Sequence, residues 1–365
     1  MARAPRTSAA SYTTFKNLAW AQLGSPANAA LNTRAKTSLF YDNCYTPTLD
    51  PGLAAKVALQ GRALCLQMAG IFTATGNVRQ VKRQRGGGAW PVLNNAALAT
   101  AYQAWADWYW WEPISYLTCR LIGNPQPAAL SNDAQRAMGA YLHIYPAAGP
   151  RALVPNWRIA FNILPQNMAA AVAALCPVMD AHADIGHFKI SAPGTVGKPD
   201  SLIVYMNKTA GTYAGIYAAV VGAVGGLGVQ ETFAPMWDEF ALGQAVASEP
   251  PKVQGVGGVS FGTFRCILTT MAHEDAVQNV VGGNAAALTG AQFRTAVDTY
   301  FNRYGVPIAA PHDQYQIVIG AAPVPAAART VYITQAQWNE FLTAYGAYKQ
   351  VNAMGHAVQN RPVIT

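Results

Sequence analysis

The sequence predicts an α+β protein, with a mainly helical N-terminal region (residues 1–150) packed on a mixed β-sheet C-terminal region (residues 151–365). Three observations lead there. Residues 157–163, Trp-Arg-Ile-Ala-Phe-Asn-Ile, alternate polar and apolar side chains as a half-buried strand does. Two further strand-like runs, 184–191 and 200–206, are joined by a Pro/Gly-rich connection of hairpin type. The remaining apolar runs recur at helical spacing and carry capping residues at their starts.

Taken in order, residues 13–24, 53–75 and 95–111 read as helices. The interval Leu39 to Tyr45 is an aromatic patch ahead of Pro47 and Pro51. Residues 76–92 form a basic, Gly-rich loop in which Lys82, Arg83 and Arg85 stand beside Gly86, Gly87 and Gly88; such a charge run reads as a mobile, solvated loop. The Pro/Gly-rich stretch Pro146 to Pro155 marks the regional boundary. Pro165 can open a helix running to about His182, followed by the strand 184–191 and its hairpin partner 200–206. A helix from about Gly211 comes next. Ser260 is a sound N-cap for a helix over 261–281, Thr289 for one over 290–304 ending at Gly305, and Thr334 for a last helix to Lys349.

Composition narrows the function classes. Apolar residues at 52% supply a large core, and charged residues at 12% are about half the usual fraction. A net charge of +8 favours an anionic partner, such as a nucleic acid, a phosphorylated peptide or an acidic leader. No long Lys/Arg stripe exists, and the aromatic cluster Trp105, Trp108, Tyr109, Trp110 and Trp111 reads as core or interface, so no nucleic acid is expected. The cysteines Cys44, Cys65, Cys119, Cys176 and Cys266 are scattered without metal-ligand spacing and read as buried thiols; no metal or cofactor is expected. The basic N-terminus lacks the apolar core of a secretory signal. The uncharged run 209–230 holds six glycines, which fits a buried helix and loop better than a membrane span. A bacterial cytoplasmic protein without a membrane partner is expected.

In an extended chain His187, Lys189 and Ser191 fall on one face, with Phe188 and Ile190 on the other; Ser201 and Tyr205 likewise share a face. An inward-facing lysine in mid-strand needs a charge partner or a chemical task. Arg158 and Asn162 share a face of their strand, and Arg265 falls early in the helix after Ser260, where an N-terminus attracts anions. No nucleophile elbow, phosphate loop, dinucleotide fingerprint or metalloprotease motif is present. What remains is a cationic set, Arg158, His187, Lys189, Lys198 and Arg265, with Asp200 and Tyr205 near in sequence.

The order Arg158…Asn162, Phe188-Lys189-Ile190, Lys198…Asp200-Ser201…Val204-Tyr205, Gly243…Glu249-Pro250 and Ser260-Phe261-Gly262…Arg265 resembles the HopA-type effector family over roughly residues 150–305. That family includes type III effectors of plant pathogens and proteins of class V lanthipeptide and thioamitide pathways. In those pathways a separate kinase-like partner phosphorylates Ser/Thr of a ribosomal precursor peptide, and the HopA-like protein eliminates phosphate to leave dehydroalanine or dehydrobutyrine. The resemblance implies a phosphoserine/phosphothreonine lyase acting with that kinase as a heterodimer. The residues suit the chemistry, which needs a base for the Cα proton, a donor for the enolate-like oxygen, an acid for the leaving group and cations for phosphate. Lys189 would be the base, His187 or Tyr205 the acid, and Asp200 would orient a basic neighbour; Lys189 and His187 can exchange roles. Arg158, Lys198 and Arg265 would bind phosphate, Asn162 and Ser191 the substrate, while Arg265 could instead pair with Glu249. In a different group, the phosphothreonine lyases acting on kinases, Lys and His flank an aromatic residue in the reverse order, so no role is carried from there. The alternatives are a non-catalytic phosphopeptide- or leader-binding subunit, or a secreted effector binding host proteins.

Overall fold

A computed structural model describes residues 4–45, 81–83, 141–163, 167–191, 200–227, 233–251, 259–322 and 327–349. The expected helices at 53–75 and 95–111, and Cys65, Cys119 and Lys198, lie outside them. The fold is α+β, as the sequence implies. Its helices are α1 (Ser8–Leu23), the short α2 (Pro26–Ala29), α3 (Thr33–Phe40), α4 (Met168–Ala181), α5 (Tyr213–Val224), α6 (Phe261–Asp275), α7 (Gly290–Arg303) and α8 (Gln335–Lys349).

Among the described residues, one sheet of seven strands carries the architecture. Its strands are β1 (Val81–Arg83), β2 (Tyr141–Ile144), β3 (Trp157–Phe161), β4 (Ile185–Ser191), β5 (Leu202–Met206), β6 (Asp238–Ala241) and β7 (Gln244–Ser248). They lie in the order β1-β2-β4-β5-β3-β7-β6, and every pairing is antiparallel. Among the described residues, parallel pairing is found in a separate two-stranded unit, β8 (Gln316–Ile319) with β9 (Thr330–Ile333).

Alternation along the strands divides the core in two. Trp157, Ile159, Phe161, Phe188, Ile190, Leu202 and Val204 face one way and pack with Val172, Leu175 and Met179 of α4 and Ile216, Val220 and Val224 of α5. Ala160, Ile203, Ala245 and Ala247 face the other way and join a core shared by Phe15 of α1, Phe40 of α3, Phe264 of α6, Phe293 and Phe301 of α7 and Phe341 of α8. The sheet is thus the middle of three layers. Small residues on β3 and β7 let the second helical layer approach closely.

Local signals set the helix starts. Thr7 accepts from the Ala10 N–H, Ser260 from Thr263, and Thr289 with Gln292 forms a reciprocal capping box. Thr334 accepts from the Gln337 N–H at the start of α8. The C-terminal end of α4 is closed by Arg151, which donates to the carbonyls of Met179, His182 and Ile185. Within the uncharged run, Tyr213–Val224 form α5, with Ile216, Val220 and Val224 inward and Gly225 and Gly226 just beyond its end. Among the described residues, no helix is long and apolar enough to cross a membrane. Cys44, Cys176 and Cys266 are buried free thiols.

One local feature aims the polar side chains of β4. Register shifts between Ile185 and His187, so Gly186 is an extra residue in β4. Ile185 therefore stays in the α4/α5 core while His187, two residues on, faces the other side opposite Tyr205. Residues 81–83, expected within a mobile loop, instead pair in strand β1 with β2.

Candidate functional site

The polar face of the sheet carries two adjacent rows. In the first, Arg158 of β3 stands opposite Tyr205 of β5, and Tyr205 stands opposite His187 of β4. In the second, Ile203 stands opposite Lys189, and Lys189 stands opposite His143 of β2. The first row is bonded through its rings: His187 stacks on Tyr205 with centroids 4.6 Å apart and planes at 14°, and the rings of His143 and Tyr145 lie 5.0 and 5.4 Å from His187.

Arg158 is buried at the centre of an aromatic enclosure. Its guanidinium carbon lies 5.3 Å from the Tyr205 ring centroid and 5.5 Å from those of Trp237 and Phe261. Both Nε and Nη2 reach one oxygen of Glu249, at 2.6 and 2.5 Å. Burial is the largest single influence and works against the charge of Arg158, but Glu249, Tyr205 and Tyr45 together outweigh it and lift the group above its ordinary value. Tyr45 completes the enclosure from the N-terminal region; its hydroxyl accepts from the Trp237 indole N–H at 2.8 Å.

Lys189 is buried in mid-strand, and its Nζ lies 5.7 Å from the Tyr205 ring centroid. Burial pulls it down to about 8 from the ordinary lysine value, with Asp200 opposing that shift, Arg158 adding to it and Glu249 opposing it. Tyr205 moves the other way: burial raises it, Arg158 counteracts, and Glu249 and Asp200 add to the rise. The tyrosine therefore keeps its proton under conditions in which a substantial share of Lys189 has lost its own. A buried amine near neutrality beside a protonated phenol and a fixed guanidinium can accept a proton, donate a proton and stabilise developing negative charge.

The structure brings Arg158, His187, Lys189 and Tyr205 together on one sheet face, with Asp200 near enough to act on Lys189, Tyr205 and Tyr45. Asn162 is buried just past the end of β3, where its backbone N–H donates to the Gly243 carbonyl. Ser191 ends β4 opposite Tyr141. Ser201 is a tie between strand ends, accepting from the Ile163 N–H and donating to the Phe161 carbonyl.

Arg265 is placed differently from its expectation as a phosphate ligand. It is fully buried; Nε and Nη2 donate to the Pro311 carbonyl at 3.0 and 2.7 Å, and Nη2 also reaches the Asp313 carbonyl at 3.0 Å. Its guanidinium stacks 3.5 Å over the Phe261 ring. Burial pulls it below the ordinary arginine value, with Tyr45 opposing and Arg158 reinforcing that shift. It ties α6 to the loop at 311–313. The carboxylate weighed as its partner, Glu249, is held by Arg158 instead.

Sequence reasoning did not single out His143, Tyr145, Tyr45, Trp237 or Phe261 as site neighbours. Period-two alternation in the sequence, which sets His143 and Tyr145 on one side of an extended chain, was the available signal for the first two. Among the described residues, no group of histidine, cysteine or acidic side chains is arranged to hold a metal ion.

No protein-family model matches the chain, and no curated protein does. Solved structures similar to it include two bacterial effector proteins. One is the effector protein from Pseudomonas syringae pv. tomato strain DC3000, at 12% identity over 84% of this chain and 98% of that one, with a TM-score of 0.47. The other is the effector protein from Pseudomonas syringae pv. syringae strain 61, at 13% identity over the same shares, with a TM-score of 0.46.

Proposed function

We propose that the protein is a phosphate-eliminating lyase of the bacterial cytoplasm. Its substrate is phosphoserine or phosphothreonine in a ribosomal precursor peptide, phosphorylated by a separate kinase-like partner. The observation that carries this reading is Lys189, a buried mid-strand lysine drawn down to about 8 beside a Tyr205 that is pushed up.

In the proposed reaction, the Lys189 lone pair takes the Cα proton and the amine becomes ammonium. The C–H electron pair forms the Cα=Cβ bond, and the Cβ–O bond breaks with its pair leaving on phosphate. Tyr205 or His187 supplies the leaving group's proton, and Asp200 holds the resulting ammonium. A drop from 10.5 to about 8 enlarges the neutral fraction at pH 7 roughly 300-fold, which is what a base for a weakly acidic proton needs.

A phosphopeptide-docking subunit without turnover is the second reading. It is kept because the two buried arginines that would stabilise a departing phosphate are already engaged, one by Glu249 and one by backbone carbonyls, which counts against turnover. Mass spectrometry of a phosphopeptide incubated with the protein separates the two. Loss of about 98 Da per site, one phosphoric acid, by the wild type and not by Lys189→Ala supports the lyase. Intact phosphopeptide that binds supports docking.

A further inference from the structure

Removing a Cα proton spreads negative charge onto the neighbouring carbonyl oxygen, and donors aimed at that oxygen lower the barrier. The contact between Arg158 and Glu249 leaves such a donor in place. Nε and Nη2 of Arg158 both reach one Glu249 oxygen, which fixes the plane of the guanidinium and occupies one of its edges. Among the described residues, no acceptor is bonded to Nη1, although the side chain is only 4% exposed. Tyr45 repeats the pattern. Its hydroxyl oxygen accepts from the Trp237 indole N–H at 2.8 Å, and among the described residues its own proton has no acceptor. Tyr45 is buried; burial pushes its phenol up and Asp200 adds to the rise, so that proton is retained. The two groups are neighbours. The Trp237 ring that bonds Tyr45 lies 5.5 Å from the Arg158 guanidinium carbon, and the Phe261 ring lies beside both.

We propose that Nη1 of Arg158 and the hydroxyl of Tyr45 form an oxyanion site, holding the carbonyl oxygen of the residue whose Cα proton is removed. This rests on the lyase reading and adds the hydrogen-bond donors that its chemistry requires. The row Arg158–Tyr205–His187 sets the direction of the substrate. Arg158 is at the buried end of the row, and His187, half-buried, is at the open end. A phosphorylated residue entering from the open end leaves its phosphate beside His187 and brings its Cα over Tyr205, next to Lys189. Its carbonyl oxygen then points toward Arg158 and Tyr45. As Lys189 takes the proton, part of the C–H electron pair is carried on that oxygen. Both donors keep their protons, and the pair ends in the Cα=Cβ bond as the Cβ–O pair leaves on phosphate. Glu249 already balances the charge of Arg158, so this corner suits a partial charge on one oxygen better than a phosphate dianion.

The test is steady-state elimination from a phosphoserine peptide by the full-length chain, read by mass spectrometry at the pH of maximal rate for each protein. Tyr45→Phe and the double variant Arg158→Met with Glu249→Leu are compared with wild type. Tyr45→Phe keeps the ring against Tyr41 and Phe261, and the double variant removes the guanidinium without stranding its carboxylate. Expected in each is a kcat lower on the order of 100-fold with KM within about twofold. Tyr45→Phe should also show a larger rate difference between Cα–H and Cα–D substrate, because proton removal becomes slower relative to the other steps. A Tyr45 that only packs would lower the Tm and leave kcat and the isotope effect of the folded protein unchanged; that result overturns the inference, as does undiminished turnover by the double variant. If Tyr45→Phe melts below the assay temperature, the double variant decides. Absence of elimination by wild type removes the lyase and the oxyanion site together, whereas turnover by wild type with unaffected variants removes the oxyanion site alone.

Discussion

Arg158 and Glu249 meet inside the protein with two guanidinium nitrogens on one carboxylate oxygen, at 2.6 and 2.5 Å, although they are 91 residues apart in sequence. The side chains are 4% and 11% exposed, so neither charge can fall back on water. Such a pair contributes little net stability over an apolar replacement, but breaking it strands one buried charge. Glu249→Ala is expected to lose about 3–5 kcal/mol of unfolding free energy, while Arg158→Met with Glu249→Leu recovers most of it. Urea denaturation of the singles and the double checks this. A double variant as unstable as Glu249→Ala would mean that the ion pair contributes net stability.

Lys189 makes stability depend on pH in a stated direction. Its folded value, about 8, is below the ordinary 10.5. Between those values the unfolded chain holds more protons, so the native state gains stability as pH rises; below pH 8 the cost of keeping the ammonium buried is felt in full. The stability difference between Lys189→Met and wild type should therefore shift in favour of wild type by about 3 kcal/mol from pH 8 to pH 10.5. Denaturation curves at several pH values read it directly. A difference that stays flat over that window would show that Lys189 is not displaced from its ordinary value.

If Lys189 is the base, the same group sets the low-pH limb of elimination. Activity should rise with pH through about 8. Asp200→Asn removes the group that most opposes the downward shift, so the limb should move to lower pH, with a lower maximal rate because the ammonium formed on proton transfer loses its counter-charge. A pH–rate profile in both proteins tests it, and a limb that moves upward or stays put contradicts the assignment of Asp200.

What could be read from the sequence was local. The alternation that sets Lys189 apart from Phe188 and Ile190, and the caps Ser260, Thr289 and Thr334, depend on residues within one turn or one strand. What could not be read was pairing across long separations. Strand β2 has only four residues, and it becomes significant through its place beside β4, with His143 opposite Lys189. The bulge at Gly186 is visible only once Ile185 and His187 are seen against Met206 and Tyr205. The choice of Glu249's partner turned on tertiary packing: Arg158 and Arg265 both lie against Phe261, and only one of them reaches the carboxylate.

Gly262 sits where the ring of Tyr45 crosses α6, and a Cβ there would overlap that ring. Tyr45 cannot retreat easily, since it is buried, packs on Tyr41 and Phe261 and accepts from Trp237. Gly262→Ala is expected to cost about 1–3 kcal/mol despite alanine's better helix propensity. Thermal unfolding checks it, and an added Tyr45→Leu should return part of the loss by clearing the ring. A neutral or stabilising Gly262→Ala would mean that Tyr45 is less firmly placed than its contacts indicate.

Arg265 provides the sharpest separation between structural and ligand-binding arginines. Its donors satisfy the carbonyls of Pro311 and Asp313, and the 311–313 loop is further held by Ser248, whose N–H donates to the His312 carbonyl and whose hydroxyl donates to Asp313. Lysine has one ammonium and cannot reproduce a planar fork spread over two carbonyls while stacked on Phe261. Arg265→Lys should therefore unfold several degrees below wild type, from about 1–3 kcal/mol of lost carbonyl satisfaction. Any phosphate binding by its folded fraction should match wild type, because the donors of Arg265 are on the Pro311 and Asp313 carbonyls. Calorimetric titration well below the variant's Tm, beside its melting curve, separates the two effects. Weakened phosphate binding with an unchanged Tm would restore Arg265 to the anion site and would mean that its carbonyl contacts give way to ligand.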